Sequence, residues 1–285
     1  MKLAFPEFAL DLNSPVAMGI VNVTPDSFSD GGRFLAVERA VQHGVQMASD
    51  GAALIDVGGE STRPGAEPVE EVEELRRVVP VIRELAAVAG VPVSIDTSKP
   101  VVMEAAAEAG AVMINDVNAL RTDGALQVAV ETGLAVCLMH MQGQPRQMQA
   151  NPTYSDVVEE VYSFLSDRIE ACLAAGMDLA RIVIDPGFGF GKTLEHNLTL
   201  MRRLERFRDL GRPLLVGVSR KSMIGTILGR DVDERLWGSV VLGILAVERG
   251  ANILRVHDVA PTMDAMRVMQ AVSVSEDRQV VRKNG

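Results

Sequence analysis

Polar or charged side chains end, or closely follow, eight short apolar runs of this chain. In chain order these groups are Asn22, Asp56, Asp96, Asn115, His140, Asp185, Ser219 with Lys221, and Arg255 with His257. Carboxylates, amides, amines and imidazoles are the side chains that hold polar substrates and move protons. If the fold brings these positions together, they form one polar site.

The eight apolar runs predict the strands that position this site. They span residues 16–23, 52–57, 91–95, 112–114, 135–139, 181–184, 214–218 and 253–256. Several runs are continuously apolar, which is typical of parallel strands buried on both faces. Because helical segments separate the runs, we predict an α/β fold, a (β/α)8 TIM barrel with its active site at the carboxyl ends of the strands.

The segment before the first run predicts one addition to this barrel. Phe5, Phe8, Leu10 and Leu12 alternate with polar or small residues, as they do in a pair of short strands. We expect a short N-terminal β-hairpin that closes the bottom of the barrel. A doubly wound open sheet is the competing architecture, but no G-x-G-x-x-G fingerprint follows the first run.

Length, charge and apolar segments limit the class of protein. The 285 residues suit one barrel, so a single domain is expected over residues 1–285. The net charge is 28 − 38 = −10, and the scattered basic residues form no face for nucleic acid. No signal peptide is evident, and the longest apolar stretch, 240–247, is too short for a membrane span. A cytoplasmic protein without nucleic-acid or membrane partners is expected, with Cys137 and Cys172 buried in the fold.

Two glycine-rich loops follow the first two runs. Residues 22–32 include a phenylalanine, two aspartates and a double glycine, and residues 58–65 place a hydroxyl and an arginine between glycines. Ordinary surface turns are the alternative interpretation. Their place on the catalytic face of the barrel favours mobile loops that touch a ligand. Asn22 offers a hard oxygen suited to Mg²⁺.

The third and fourth runs are followed by carboxylates with competing interpretations. Asp96 precedes Ser98, and Ser98 is a good helix N-cap, which would leave Asp96 at the barrel mouth. Asn115 and Asp116 point to opposite sides of a strand, so one is expected at the mouth and the other in a supporting loop.

The loop after the sixth run, residues 185–193, alternates glycine with phenylalanine. A phosphate-binding P-loop is excluded, since Pro186 stands where that motif requires glycine. The alternation instead predicts a backbone that comes close to a flat ligand, with Asp185 as the chemical group. After the seventh and eighth runs, where barrels often bind phosphate, Ser219, Lys221, Arg255 and His257 supply hydroxyl and cationic donors.

Together these motifs resemble the dihydropteroate synthase family. The matching segments, in the order in which that family has them, are GIVNVTPDSFSDGG (19–32), DVGGESTRPGA (56–66), SIDT (94–97), INDV (114–117), DPGFGFGKT (185–193), VGVSRKS (216–222) and RVHDV (255–259). The resemblance implies that p-aminobenzoate attacks the methylene of 6-hydroxymethyl-7,8-dihydropterin diphosphate, giving 7,8-dihydropteroate and diphosphate. It also implies that sulfonamides bind in place of p-aminobenzoate.

The resemblance implies a role for each matching position. Catalytic roles fall to Asp96, Lys221 and Asp30; pterin contacts to Asp96, Asn115, Asp185, Lys221, Phe190 and Met139; p-aminobenzoate contacts to Thr62, Arg63, Pro64, Phe28 and Ser219, with Arg220 a weaker candidate; and diphosphate contacts to Arg255, His257 and Asn22, with Asn22 also a ligand of Mg²⁺.

Two other functions remain open at this point. A pterin-binding methyltransferase would share the pterin pocket but needs neither a diphosphate site nor the S-T-R-P loop, and an inactive barrel could serve as a dimeric scaffold. A homodimer is expected in any case, because the predicted helix 234–249 carries a stripe of small and apolar residues at Gly238, Ser239, Leu242, Gly243 and Ala246. Packing of that stripe on the barrel is the alternative.

Overall fold

Parallel strands build the centre of the molecule. The computed structural model describes residues 1–23, 32–61, 65–144 and 147–273. Within these residues, eight parallel strands form one sheet. The strands are β3 (Val16–Asn22), β4 (Leu54–Gly58), β5 (Val93–Asp96), β6 (Met113–Asp116), β7 (Ala135–Met139), β8 (Ile182–Asp185), β9 (Leu215–Val216) and β10 (Ile253–Val256). Their order in the sheet is β8-β7-β6-β5-β4-β3-β10-β9. A parallel bridge between Ile184 and Leu214 joins the two ends of the sheet and closes the barrel, which confirms the predicted (β/α)8 fold.

Helices surround this barrel. They are α1 (Gly32–Ser49), α2 (Glu71–Val88), α3 (Pro100–Glu108), α4 (Ala125–Thr132), α5 (Val157–Ala174), α6 (Leu194–Arg202), α7 (Ser222–Leu228), α8 (Leu236–Glu248) and α9 (Val259–Ser273). Short 3-10 helices lie at Leu179–Arg181, Leu204–Leu210 and Val232–Glu234. No helix of the described residues is both long and apolar enough to cross a membrane.

The predicted N-terminal hairpin is present and packs on the bottom of the barrel. Strands β1 (Lys2–Ala4) and β2 (Ala9–Asp11) pair antiparallel. Leu3, Phe5 and Leu12 from this segment join one apolar cluster with inward-facing strand residues, which we call the lower layer: Met18, Leu54, Met113, Ala135, Cys137, Val183, Leu215 and Ile253. The hairpin therefore seals the barrel end opposite to the carboxyl ends of the strands.

The small residues of α8 face the barrel rather than a partner. Ser239, Gly243 and Ala246 are buried, and a Cβ added at Gly243 would lie 3.2 Å from Cδ1 of Leu254 on β10. The prediction that this stripe forms a dimer surface is therefore wrong for these residues, because their size allows close packing of α8 on the sheet.

Candidate active site

An arginine and two carboxylates meet at the carboxyl ends of the strands. Arg255 on β10 donates from Nε to Oδ2 of Asp56 at 2.6 Å and from Nη2 to Oδ2 of Asp96 at 2.6 Å. Asn115 on β6 donates from Nδ2 to the same Asp56 oxygen at 2.9 Å. Asp56, Asp96 and Asn115 come from the adjacent strands β4, β5 and β6. The predicted convergence of these strand ends is observed.

Part of this cluster has no internal partner. Asp56 is fully buried, and within the described residues its Oδ1 atom makes no hydrogen bond. The hydroxyl of Ser94, the register neighbour of Asp56 on β5, is likewise unpaired and buried. Because a buried polar atom without a partner is costly, these two atoms mark a place where a polar ligand or water completes the structure.

The pKa of the Asp96 carboxyl group lies close to neutral pH. Burial raises its pKa to about 7, and the positive charge of Arg255 opposes this shift. The charges of Asp56, Glu74 and Asp116 raise the pKa further. Asp96 therefore ends β5 at the barrel mouth, as the sequence predicted, but it is paired with Arg255 there rather than free.

The helix after β5 also begins differently from the prediction. Lys99 is the N-cap position of α3, without a side-chain capping bond. The hydroxyl of Ser98 donates instead to Oδ1 of Asp116. Asp116 also accepts from the backbone nitrogens of Asn118 and Leu120 at 2.8 Å and 2.7 Å. Asp116 thus holds the loop while Asn115 reaches the site, as their opposite directions on β6 predicted.

Asp185 ends β8 at the same end of the barrel. It is buried, and the backbone nitrogen of Gly187 donates to its Oδ1 atom at 2.7 Å. Burial raises its pKa to about 6, while the Gly187 hydrogen bond and the charges of Lys221, Lys192 and Arg255 act in the opposite direction. The carboxyl group is therefore mostly ionised at neutral pH and can accept hydrogen bonds from N–H donors.

The glycines after β8 allow two loops to pack together. Gly187 and Gly191 have positive φ values of 69° and 62°. A Cβ at Gly187 would lie 1.9 Å from the carbonyl oxygen of His140, and one at Gly191 would lie 2.4 Å from that of Gln142. The sequence predicted a close approach to a flat ligand, but these two glycines make that approach to the loop after β7.

Phe190 and Met139 belong to an apolar wall beside these polar groups. They cluster with Val117, Met141 and Met148. The ammonium of Lys221 lies over the Phe190 ring, 4.1 Å from its centroid. Phe188, in contrast, is 1% exposed and belongs to the main core. The site therefore offers a flat apolar surface next to hydrogen-bonding groups.

The loops after β9 and β10 are joined by hydrogen bonds. The Ser219 hydroxyl lies 3.0 Å from Nδ1 of His257 and accepts from the His257 backbone nitrogen at 3.2 Å. Arg220, at a φ of 57°, makes a two-pronged ion pair with Asp258 at 3.0 Å and 2.6 Å. Arg220 thus supports the loop, whereas Ser219 and His257 form one polar pair at the mouth.

Asn22 ends β3 and is exposed. A Cβ at Gly58 would lie 3.9 Å from Oδ1 of Asn22 and 3.7 Å from Oδ2 of Asp96, so both oxygens face the same side of the site. No group of three or more His, Cys, Asp or Glu side chains that could hold a metal occurs in the described ranges. The Asn22 side chain could supply one oxygen to an Mg²⁺ ion that takes most of its ligands from substrate phosphate and water.

Two buried residues of the site were not assigned from the sequence. Lys192 belongs to the loop after β8 and is 3% exposed, and its Nζ atom lies 2.9 Å from Nδ1 of His140. His140 was noted only as a polar residue after its strand. The signal for Lys192 in the sequence is a lysine in an otherwise apolar and glycine-rich loop.

Five predicted site residues lie outside the described residues. They are Phe28, Asp30, Thr62, Arg63 and Pro64. The flanking segment that leads into residues 62–64 is well anchored: Arg77 donates to the carbonyl oxygen of Gly59 at 2.9 Å, and Lys99 pairs with Glu60 and Glu74.

Comparison with known proteins agrees with this geometry. The family described as "Pterin binding enzyme" matches residues 18–257. Dihydropteroate synthase of Escherichia coli strain K12 is 51% identical over 280 residues, which cover 98% of this chain and 99% of that protein. A crystal structure of the Yersinia pestis dihydropteroate synthase in a sulfonamide complex superposes with a TM-score of 0.91 at 50% identity, covering 95% of this chain and 99% of that one.

A second solved structure is equally similar. Dihydropteroate synthase of Xanthomonas albilineans with 4-aminobenzoic acid has a TM-score of 0.91 at 53% identity, covering 96% of this chain and 99% of that one. Identity at this level over nearly the whole length, together with the polar site at the strand ends, establishes the relationship. The chain belongs to the dihydropteroate synthase family of pterin-binding enzymes.

Proposed function

We propose that this chain joins p-aminobenzoate to 6-hydroxymethyl-7,8-dihydropterin diphosphate, forming 7,8-dihydropteroate and releasing diphosphate for folate synthesis. The observation that carries the proposal is the buried group of Asp56, Asp96, Asn115 and Asp185 beside the Phe190 wall. A pterin ring is flat and has N–H donors along one edge, so it complements an apolar surface bordered by carboxylates.

The pterin lies between Asp185 and Lys221 in this proposal. The Asp185 carboxylate accepts hydrogen bonds from the amidine edge of the ring, and Lys221 donates to the ring carbonyl. Both are charge-assisted hydrogen bonds, which are stronger than neutral ones. Asn115, already fixed by its bond to Asp56, presents its amide oxygen to another ring N–H.

Asp96 acts on the reacting part of the pterin. Its buried carboxyl group lies next to Asp56 and Arg255. If the C–O bond to diphosphate breaks before the amine attacks, positive charge develops on the pterin, and an ionised Asp96 stabilises it. We assign this role to Asp96, with Lys221 and Asp30 as the other groups in contact with substrate.

The leaving diphosphate is held by Arg255, His257 and Asn22. A guanidinium has five N–H donors, and the bonds from Arg255 to Asp56 and Asp96 use two of them. Arg255 can therefore bind an anion while it remains paired inside the barrel. When bound at Asn22, Mg²⁺ would supply further positive charge to the diphosphate.

The p-aminobenzoate site is proposed to form from Phe28, Thr62, Arg63 and Pro64 together with Ser219. Two relatives support this ligand class: the Xanthomonas enzyme with 4-aminobenzoic acid and the Yersinia enzyme with a sulfonamide. We propose that p-aminobenzoate and sulfonamides bind tightly only after pterin and diphosphate are in place. Calorimetric titrations of p-aminobenzoate into the apo protein and into the pterin, Mg²⁺ and diphosphate complex should differ in affinity.

A turnover assay tests the reaction itself. Protein, pterin diphosphate, p-aminobenzoate and Mg²⁺ should release diphosphate and form dihydropteroate in equal amounts, and omission of either organic substrate should stop both. Diphosphate release without dihydropteroate would overturn the proposal. Full turnover in excess EDTA would refute the role of Mg²⁺ alone.

We also propose that the chain is a cytoplasmic homodimer through the outer face of α8. This helix is apolar on all sides, although its outer residues Trp237 and Val241 are 72% and 57% exposed. A helix of this composition is normally covered on all sides, and Ile227 and Leu228 at the end of α7 extend the same exposed apolar surface. Light scattering should give a dimer mass that Trp237→Lys reduces to a monomer mass; a monomeric wild type would refute the proposal.

A further inference from the structure

A buried lysine connects the two loops on the pterin side of the site. The Nζ atom of Lys192 lies 2.9 Å from the carbonyl oxygen of Gly187, 3.0 Å from that of Phe190 and 2.9 Å from Nδ1 of His140. An ammonium has three N–H donors. These three acceptors match the three donors in number, and the His140 carbonyl oxygen lies at a longer 3.4 Å, so the lysine is fully bonded although it has almost no contact with water.

His140 is suited to accept one of these bonds. Burial and the nearby charges of Lys192 and Arg121 lower the pKa of His140 to about 2, so the ring is neutral. A neutral imidazole has one nitrogen that accepts a hydrogen bond. The backbone nitrogen of His140 also donates to the carbonyl oxygen of Asp185 at 3.0 Å. His140 therefore ties the loop after β7 both to Lys192 and to the end of β8.

The bonds to Lys192 fix the direction of two groups in the pterin site. The Gly187 carbonyl oxygen accepts from the ammonium, and the backbone nitrogen of the same residue donates to Oδ1 of Asp185 at 2.7 Å. The Phe190 carbonyl oxygen also accepts from the ammonium, and the Phe190 ring lies under Lys221. Both groups are set by a loop conformation that the lysine stabilises.

We infer that Lys192 is a positioning residue for the pterin: it acts through Gly187 and Phe190 to orient the Asp185 carboxylate and the Phe190 ring. This inference rests on the proposed function, because it assigns the residue that prepares the pterin site. A lysine that served only the stability of the barrel would affect both substrates equally. A positioning lysine affects the pterin selectively.

The charge of Lys192 also lowers the pKa of the Asp185 carboxyl group. The groups that face the Asp185 carboxylate are the Gly187 N–H, Lys221, Lys192 and Arg255, and all of them oppose the rise of its pKa that burial causes. Burial lowers the pKa of Lys192 itself to about 7, against the charge of Asp185. Where Asp185 titrates, at about pH 6, Lys192 is therefore charged. Removal of the ammonium should raise the pKa of Asp185 and move the loss of pterin affinity to higher pH.

The test compares Lys192→Met with Lys2→Met, which makes the same change at an exposed position of β1. In Lys192→Met the KM for pterin diphosphate should rise about tenfold or more, while the KM for p-aminobenzoate at saturating pterin changes less than about twofold. The acid limb of the pterin affinity, titrated with 6-hydroxymethylpterin by calorimetry, should move up in pH. Equal losses for both substrates, or an unmoved acid limb, would overturn the inference.

His140 provides a second pair of variants for the case that Lys192→Met does not fold. His140→Asn replaces the Nδ1 acceptor with an amide oxygen, and His140→Leu removes the acceptor in a side chain of similar size. The leucine variant should weaken 6-hydroxymethylpterin binding and the asparagine variant should restore it; equal binding by both contradicts the role of Lys192. Because this readout is binding, it stands apart from the turnover assay, whose failure in the wild type would count against the proposed reaction.

Discussion

Two layers of side chains inside the same barrel have opposite character. The lower layer is closed by the hairpin and is entirely apolar. On β4, β6, β8 and β10 the side chain two residues further along is charged or polar, and we call these side chains, together with Ser94 and Asp96 of β5, the upper layer. The pairs from lower to upper layer are Leu54 and Asp56, Met113 and Asn115, Val183 and Asp185, and Ile253 and Arg255.

The comparison shows how one strand serves two purposes. Residues two apart on a strand point to the same side, so each of these four strands contributes one side chain to the lower layer and one to the site. The lower layer stabilises the barrel by burial. The upper layer instead contains unpaired buried atoms at Asp56 and Ser94 and two carboxyl groups whose pKa values burial has raised, Asp96 and Asp185. Unpaired buried atoms and raised pKa values of this kind lower the stability of the fold, and they are typical of functional sites.

The largest expected effect comes from removing the cation of the upper layer. Arg255→Met leaves Asp56 and Asp96 buried without their partner, and loss of one member of a buried ion pair costs about 3–5 kcal/mol. Urea unfolding at pH 8 should show this loss. Arg76→Met at an exposed position of α2 is the matched control and should change stability by less than about 0.5 kcal/mol. Similar unfolding midpoints for the two variants would show that the upper layer does not depend on the pairing.

A cavity in the lower layer should reduce the stability of the fold without reducing catalysis. Leu54→Ala removes a fully buried side chain and should reduce the free energy of unfolding by about 2–5 kcal/mol. Because Leu54 contacts no substrate, kcat/KM well below the melting temperature should stay near the wild-type value. Val72→Ala, at a side chain that is 60% exposed, provides the control for stability. A large loss of kcat/KM in a folded Leu54→Ala variant would mean that the two layers are coupled.

Removal of one charge from the upper layer should change binding more than stability. Asp185→Asn keeps the shape but turns one acceptor into a donor, so affinity for 6-hydroxymethylpterin should fall about ten- to a hundredfold. Calorimetry measures this fall, and Asp123→Asn at an exposed position is the control. Unchanged affinity in folded Asp185→Asn contradicts the assignment of Asp185 to the pterin.

The smallest effect concerns pH. Since burial raises the pKa of Asp185 to about 6 and that of Asp96 to about 7, both carboxylates are ionised at pH 8 and lose their charge as the pH falls. Pterin affinity should therefore fall about tenfold between pH 7 and pH 5. In Asp185→Asn only the part due to Asp96 should remain. If the pH dependence of pterin affinity in Asp185→Asn is identical to that of the wild type, titration of Asp185 is excluded as a cause of the loss of affinity at low pH.

The sequence predicts the upper layer better than the contacts within it. Apolar runs followed by polar residues locate the strand ends, because strand direction and burial are local properties of the sequence. The pairing of Arg255 with Asp56 and Asp96 joins residues 199 and 159 positions apart, which no local pattern contains. The sequence also indicated Asp185, whose place at the end of β8 follows from its run.

Elements that depend on packing between loops or helices were not predictable in the same way. The glycines after β8 were expected at a ligand, yet the space that they leave is filled by the backbone after β7. The small residues of α8 would suit a partner helix or the barrel equally well, and only the position of Leu254 decides between them. Lys192 is a charged residue whose burial depends on carbonyl groups brought to it by two different loops.

The way in which the barrel closes determines where it opens locally. Within the part of the chain that the structure describes, one isolated bridge, from Ile184 to Leu214, forms the seam between β8 and β9, whereas β3 and β4 are joined through five residue pairs. Local opening occurs most readily where few backbone bonds must break. Asp185 ends β8 on one side of this seam, and Lys221 follows β9 on the other side. A pterin bound to both residues would therefore link the two strands across the seam. Pterin binding should then slow the hydrogen exchange of amide protons along the seam more than that of amide protons in any other strand pair.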